Sequence, residues 1–163
     1  MPIKLKKIIN SKLTLSGTIK LYHYSKNDLG SKIKLDPKVS FKNKGYHSMN
    51  DYRASSVPRV WYYVNPKDAE ATIKSRYLYK ISVDGSNIFN LESSLQIFNN
   101  DINNFKINYP DIYNIIKKSY NEYGHLNLDK LLKYISKKFN GIYYETGGIP
   151  MVVMFTAENA TLV

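Results

Sequence analysis

The stretch from Ile142 to Phe155 constrains the fold more than any other part of the chain. Ile142-Tyr143-Tyr144-Glu145 reads as a short strand, Thr146-Gly147-Gly148 as a tight turn, and Ile149–Phe155 as a strand that is apolar throughout. Adjacent glycines supply the positive φ that a short hairpin turn demands, so the two strands are expected to pair antiparallel.

Other strands read clearly upstream. Leu13–Tyr24 is extended, with a turn at Ser16-Gly17, and Ile19 and Leu21 alternate before an aromatic cluster around His23. Arg59-Val60-Trp61-Tyr62-Tyr63-Val64 is aromatic and β-branched, and Asn65-Pro66 ends it. Pro66, Asp68 and Glu70 suit the first turn of a short helix over Lys67–Ser75. Arg76–Val83 alternates, with Tyr77, Tyr79, Ile81 and Val83 on one face, and Asp84-Gly85 turns the chain towards a brief extended Ile88–Leu91. Two amphipathic helices follow. Asp111–Tyr120 carries Ile112, Ile115, Ile116 and Tyr120 as a stripe, and Leu128–Phe139 begins after Asn127 and ends at Asn140-Gly141. Strands on both sides of a helical pair predict an α+β domain rather than a doubly wound one. At 163 residues without internal repeat, one domain spanning 1–163 is expected. Residues 1–18 form a basic arm or an edge strand.

The charge is uneven. Residues 1–80 hold 17 Lys/Arg against 5 Asp/Glu, net +12, whereas residues 81–163 hold 7 against 8, net −1. One electropositive region could therefore meet nucleic acid, an anionic cofactor or an acidic partner. With no cysteine there is no disulfide scaffold. No apolar run is long enough to span a bilayer, and Met1–Leu15 is too rich in lysine for a signal-peptide core. The expected location is the cytoplasm of a host cell, or a virion. No GxxxxGK[ST], HExxH or CxxC occurs, and with only three histidines a histidine-rich metal site is not expected.

Candidate chemistry gathers at few places. His23, between Tyr22 and Tyr24, can hold a flat polar ligand, or be a core histidine packed by tyrosines. The long segment Lys26–Ala54 brings Tyr46, His47, Tyr52 and Arg53, a mixture able to line a polar cleft. Glu145 is a carboxylate at an unusual place, between a tyrosine-rich strand and a two-glycine turn.

The segments LYHYS (21–25), LDPKVSFKNKGYH (35–47), SVPRVWYYVNP (56–66) and FNGIYYETGGIPMVVMF (139–155) together resemble small ADP-ribosyltransferase-like domains of the His-Tyr-Glu type, carried by phages and mobile elements. The resemblance implies a split α+β core of two small antiparallel or mixed sheets with flanking helices, over residues 19–155, around an NAD cleft. It implies NAD as substrate and a protein or nucleic-acid acceptor. By position it assigns His23 and Glu145 as catalytic, and His23, Tyr24, Arg53, Arg59 and Tyr62 or Tyr63 as cofactor-binding. Two departures accompany it: the strand Ile149–Phe155 opens without an acid, and a serine-bearing motif is missing after Trp61-Tyr62-Tyr63. Three functional classes therefore stand open. They are a mono-ADP-ribosyltransferase, a non-catalytic structural or interaction module of a phage particle, and a basic nucleic-acid binder using lysine for phosphates and tyrosine for stacking.

Overall fold

The computed structural model describes residues 13–35, 57–72 and 76–163. The basic arm 1–12 and most of the 26–54 segment, including Tyr46, His47, Tyr52 and Arg53, lie outside the described residues. In chain order the elements are β1 (Thr18–Ser25), β2 (Lys32–Ile33), β3 (Val60–Tyr63), α1 (Pro66–Thr72), β4 (Tyr77–Asp84), β5 (Ile88–Asn90), α2 (Leu91–Asn100), α3 (Ile102–Asn108), α4 (Pro110–Ser119), α5 (Leu128–Ile135), β6 (Gly141–Thr146), β7 (Ile149–Met154), β8 (Glu158–Asn159) and β9 (Thr161–Leu162). The architecture is α+β, a sheet with flanking helices.

Seven strands run in the order β5-β6-β7-β3-β1-β4-β9, and β2 pairs with β8 in a separate ladder. Among the described strands only the β5–β6 pair is parallel. In place of two separate small sheets there is one sheet that is nearly divided. β3 and β1 meet at a single residue pair, Tyr22↔Tyr63, whereas β1 pairs with β4 along its whole length, from Thr18↔Asp84 to Ser25↔Tyr77. The resemblance implied two separate sheets; seven of the described strands instead form one sheet, thinnest between β5-β6-β7-β3 and β1-β4-β9.

Strand alternation builds one core on each face. On the first, Tyr63, Phe89, Ile142, Tyr144, Met151 and Val153 meet the helical layer through Phe98, Phe105, Ile112, Ile116, Leu131, Leu132 and Ile135. On the second, Leu21, Val60, Tyr62, Tyr79, Ile81, Val152 and Met154 pack under Ile33, with Leu29 and Leu35 against them. β7 supplies side chains to both cores, so it is apolar at every position.

The helix ends follow from local chemistry. Asn90 caps α2 by accepting from Ser93 N, Asp101 caps α3 through Asn104 N, and Asn127 caps α5 through Lys130 N. Pro110 opens α4, where its missing N–H costs nothing. The sequence reading passed over β2, α2, α3, β8 and β9. Its hairpin is present: β6 and β7 pair from Gly141↔Met154 to Thr146↔Ile149. Gly147 and Gly148 sit at φ +57° and +80°, with open space around each. Valine there meets no neighbour but forces two L-residues into the left-handed region. The double substitution is expected to lower Tm by roughly 5–10 °C, as about 1–2 kcal/mol per residue implies for a chain of this size. An unchanged thermal midpoint would contradict the turn's assignment.

Candidate functional site

Beside its one backbone pair, the seam between β1 and β3 is closed by a side chain. His23 Nδ1 donates to the Trp61 carbonyl at 2.8 Å, taking the place of a ladder bond. A carbonyl can only accept, so the ring proton belongs on Nδ1 and Nε2 presents a lone pair. Burial holds the His23 pKa below its usual value, and the bond to Trp61 offsets this only in part. The imidazole is therefore neutral at neutral pH. Nε2 makes no hydrogen bond among the described residues.

Register places Tyr79 on β4, His23 on β1, Tyr62 on β3, Val152 on β7 and Tyr143 on β6 in one row on the second face. The His23 and Tyr62 rings lie 5.6 Å apart at 55°. The Tyr62 hydroxyl is fully buried without a hydrogen-bond partner among the described residues. Burial, and then the charge of Glu158, raise the Tyr62 pKa well above the ordinary tyrosine value. Glu158 is half-buried on β8 and accepts from Thr156 Oγ1 at 2.6 Å.

A cover is tied down over this row. Tyr79 donates its hydroxyl to Asp28 Oδ1 at 2.9 Å and accepts from Leu29 N at 2.7 Å. Gly30 N also donates to Asp28 Oδ1, at 2.9 Å. The Gly30 N–H, and then the Tyr79 hydroxyl, hold the Asp28 carboxyl below its usual range. Beyond this turn the ladder Lys32↔Asn159 and Ile33↔Glu158 completes the cover.

The depressed His23 pKa gives a pH prediction. Between the lower folded value and the unfolded value near 6.5 the unfolded chain binds more protons, so stability falls as pH drops through that window and is full above it. Denaturant melts of His23→Gln are expected to flatten this dependence below about pH 6.5. A wild-type stability that does not change across the window would contradict the buried neutral ring.

The structure brings His23 and Tyr62 together, and separates the other residues read from the sequence. Tyr63 faces the helix-covered core. Tyr24 packs against that same core, and a hydrogen bond links its hydroxyl to Glu70 of α1; burial, then the charge of Glu70 and that bond, raise its pKa. Arg59 is buried, donates from Nη1 to Val57 O at 2.8 Å, and lies 4.6 Å over the Trp61 ring. Glu145 is exposed on β6, three strand spacings from β1, about 14 Å along the sheet. It accepts from the Tyr143 hydroxyl at 3.0 Å, while its own N–H donates to Glu92 Oε1 at 2.9 Å. Burial, and then Glu145's bond and charge, push the Tyr143 pKa up to about 12.

Three residues of interest had no functional reading in the sequence. Tyr79 read as a core position and Glu70 as a favourable first-turn charge. Glu158 lies beyond the last strand recognised. Among the described residues no group of three or more His, Asp or Glu is placed to hold a metal, and no helix is long and apolar enough to cross a membrane.

The chain is similar to a chain of the crystal structure of the M. tuberculosis MbcT-MbcA toxin-antitoxin complex, at 12% identity and a TM-score of 0.45, over 98% of this chain and 91% of that one. A likeness of that degree carries no argument about function. No family model and no curated protein matches the chain.

Proposed function

We propose that this chain is an ADP-ribosyltransferase-like protein that takes NAD at the seam between β1 and β3, with the nicotinamide-ribose end against His23 and Tyr62. The supporting observation is the His23 ring, fixed across the seam, whose Nε2 lone pair and the buried Tyr62 hydroxyl beside it have no hydrogen-bond partner among the described residues. Nε2 accepts from a ribose hydroxyl, and the Tyr62 hydroxyl supplies a donor where burial makes one count most. The bond broken joins ribose C1′ to the nicotinamide nitrogen. Its electron pair leaves with nicotinamide, and a nucleophile on a protein or nucleic acid bonds C1′ and releases a proton. Positive charge develops on the ribose, so an anion on the same face lowers the barrier. Glu158, paired with Ile33 in the ladder that closes the cover over this row, is the carboxylate assigned that role. Glu145, the acid the resemblance named, lies on β6, where its carboxylate accepts from the Tyr143 hydroxyl. NAD enters when the Leu29–Ile33 cover lifts, a local opening made accessible by a ladder of only two pairs.

A second reading rests on that same cover: a closed row also suits a non-catalytic module that keeps the fold. Titration calorimetry with NAD, run beside chromatographic detection of free nicotinamide, separates the two. Binding with release supports the transferase, and binding without release supports the module. No binding at millimolar NAD overturns both assignments of the seam.

A further inference from the structure

Among the described residues, one face of the β1–β4 half-sheet meets a core only at its Tyr24 end. The β1 residues that alternate with Leu21 and His23 are Lys20, Tyr22 and Tyr24, and their partners on β4 are Ser82, Lys80 and Leu78. Lys20 and Ser82 are exposed, while Tyr22, Tyr24, Leu78 and Lys80 are half-buried. Tyr22, Leu78 and Lys80 join neither apolar cluster. The helical layer that covers the first core packs on the other half of the sheet. The helix that packs on β1 is α1, at the Tyr24 end, where Glu70 bonds the Tyr24 hydroxyl.

This surface interleaves flat rings with cations on a rigid backbone. Lys80 stands directly opposite Tyr22, Lys20 is the next residue of the same face, and Tyr24 follows about 7 Å along the strand. A stacking ring between two ammonium groups matches a base flanked by its phosphates. The charge of the described residues agrees, since within 13–35, 57–72 and 76–80 eight Lys/Arg stand against three Asp/Glu, net +5. We propose that this face binds single-stranded nucleic acid, with a base stacked on Tyr22, phosphates on Lys20 and Lys80, and Glu70 bounding the site at the Tyr24 end. Duplex does not offer the face of a base, and an acidic peptide would satisfy the lysines while leaving the ring unused. The proposal stands apart from the NAD reading, which uses the opposite face.

The test is fluorescence anisotropy of a labelled short oligothymidylate with the full chain, across ionic strength. Tyr22→Leu keeps the apolar bulk and removes the ring, and is expected to weaken binding about tenfold or more. Lys20→Ala with Lys80→Ala is expected to lower the salt slope by about 1.4, about 0.7 for each phosphate contact on a single strand. Lys117→Ala with Lys118→Ala, exposed on α4, removes the same charge elsewhere and is expected to leave the slope intact. Thermal midpoints taken alongside keep a folding loss apart from a binding loss. Equal binding of a duplex of the same length would overturn the proposal. So would an equal effect of the α4 pair, full affinity in a folded Tyr22→Leu protein, or displacement of the probe by polyglutamate at matched charge, which would point instead to an acidic protein partner.

Discussion

Replacing Gly141 with valine is expected to lower Tm by more than about 10 °C or to leave the protein insoluble. Gly141 opens β6 between two partners, Ile88 on the parallel side and Met154 on the antiparallel side. A Cβ there would stand 2.6 Å from Val153 O and 2.7 Å from Met154 Sδ. The first contact is backbone, which cannot rotate away, so relief requires β6 to shift against β7. β7 feeds both cores, and any shift is felt on both faces of the sheet. Overpacking of this kind costs about 1–3 kcal/mol for a single methyl, and valine adds two more carbon atoms. Gly141→Ala is the graded control, expected to fall between wild type and valine in a thermal melt followed by circular dichroism. An unchanged midpoint for alanine would mean that the strands do not approach as closely as the register places them.

Gly141 also shows where sequence reasoning stops. Read locally, Asn140-Gly141 ends a helix, and a glycine after a lysine-rich last turn is good evidence for that. Its further role, admitting a neighbouring backbone, depends on Val153, twelve residues away on β7, and leaves no local mark. The same contrast runs through the chain. The alternation of Tyr77, Tyr79, Ile81 and Val83 was legible because β4 buries one face, and β7 was legible because it buries both. The helices α2 and α3 were passed over because their apolar residues are few and set among asparagine and serine. Their caps, Asn90 and Asp101, were nevertheless visible as residue types. β8 and β9 hold two residues each, too short for any period to register, so Glu158 could not be placed from sequence. Alternation could have separated Tyr62 from Tyr63, since Val60 and Tyr62 share a face and Trp61 and Tyr63 share the other. What no pattern reveals is the seam, because it is defined by pairs that β1 and β3 do not make.

The variants that decide the NAD assignment have opposite signatures, which makes them informative. His23→Ala removes both the acceptor Nε2 and the bond that closes the seam at Trp61, and is expected to weaken NAD binding by about tenfold or more, the worth of one well-placed hydrogen bond. Tyr62→Phe deletes a buried hydroxyl that has no partner among the described residues. Losing an unsatisfied polar group stabilises a fold by about 1–3 kcal/mol, so Tm is expected to rise by several degrees. If that hydroxyl serves the ligand, affinity falls at the same time; a gain in stability with unchanged affinity would remove Tyr62 from the site. Glu158→Gln keeps size and bonding capacity while losing charge, and is expected to retain binding while nicotinamide release drops about 10²–10³-fold. Glu145→Gln is expected to change neither, because its carboxylate is occupied with Tyr143 three strands away. The reverse result, release lost with Glu145→Gln and kept with Glu158→Gln, would place the reacting ribose at the β6–β7 turn. His23 and Tyr62 would then be a structural clasp across a divided sheet.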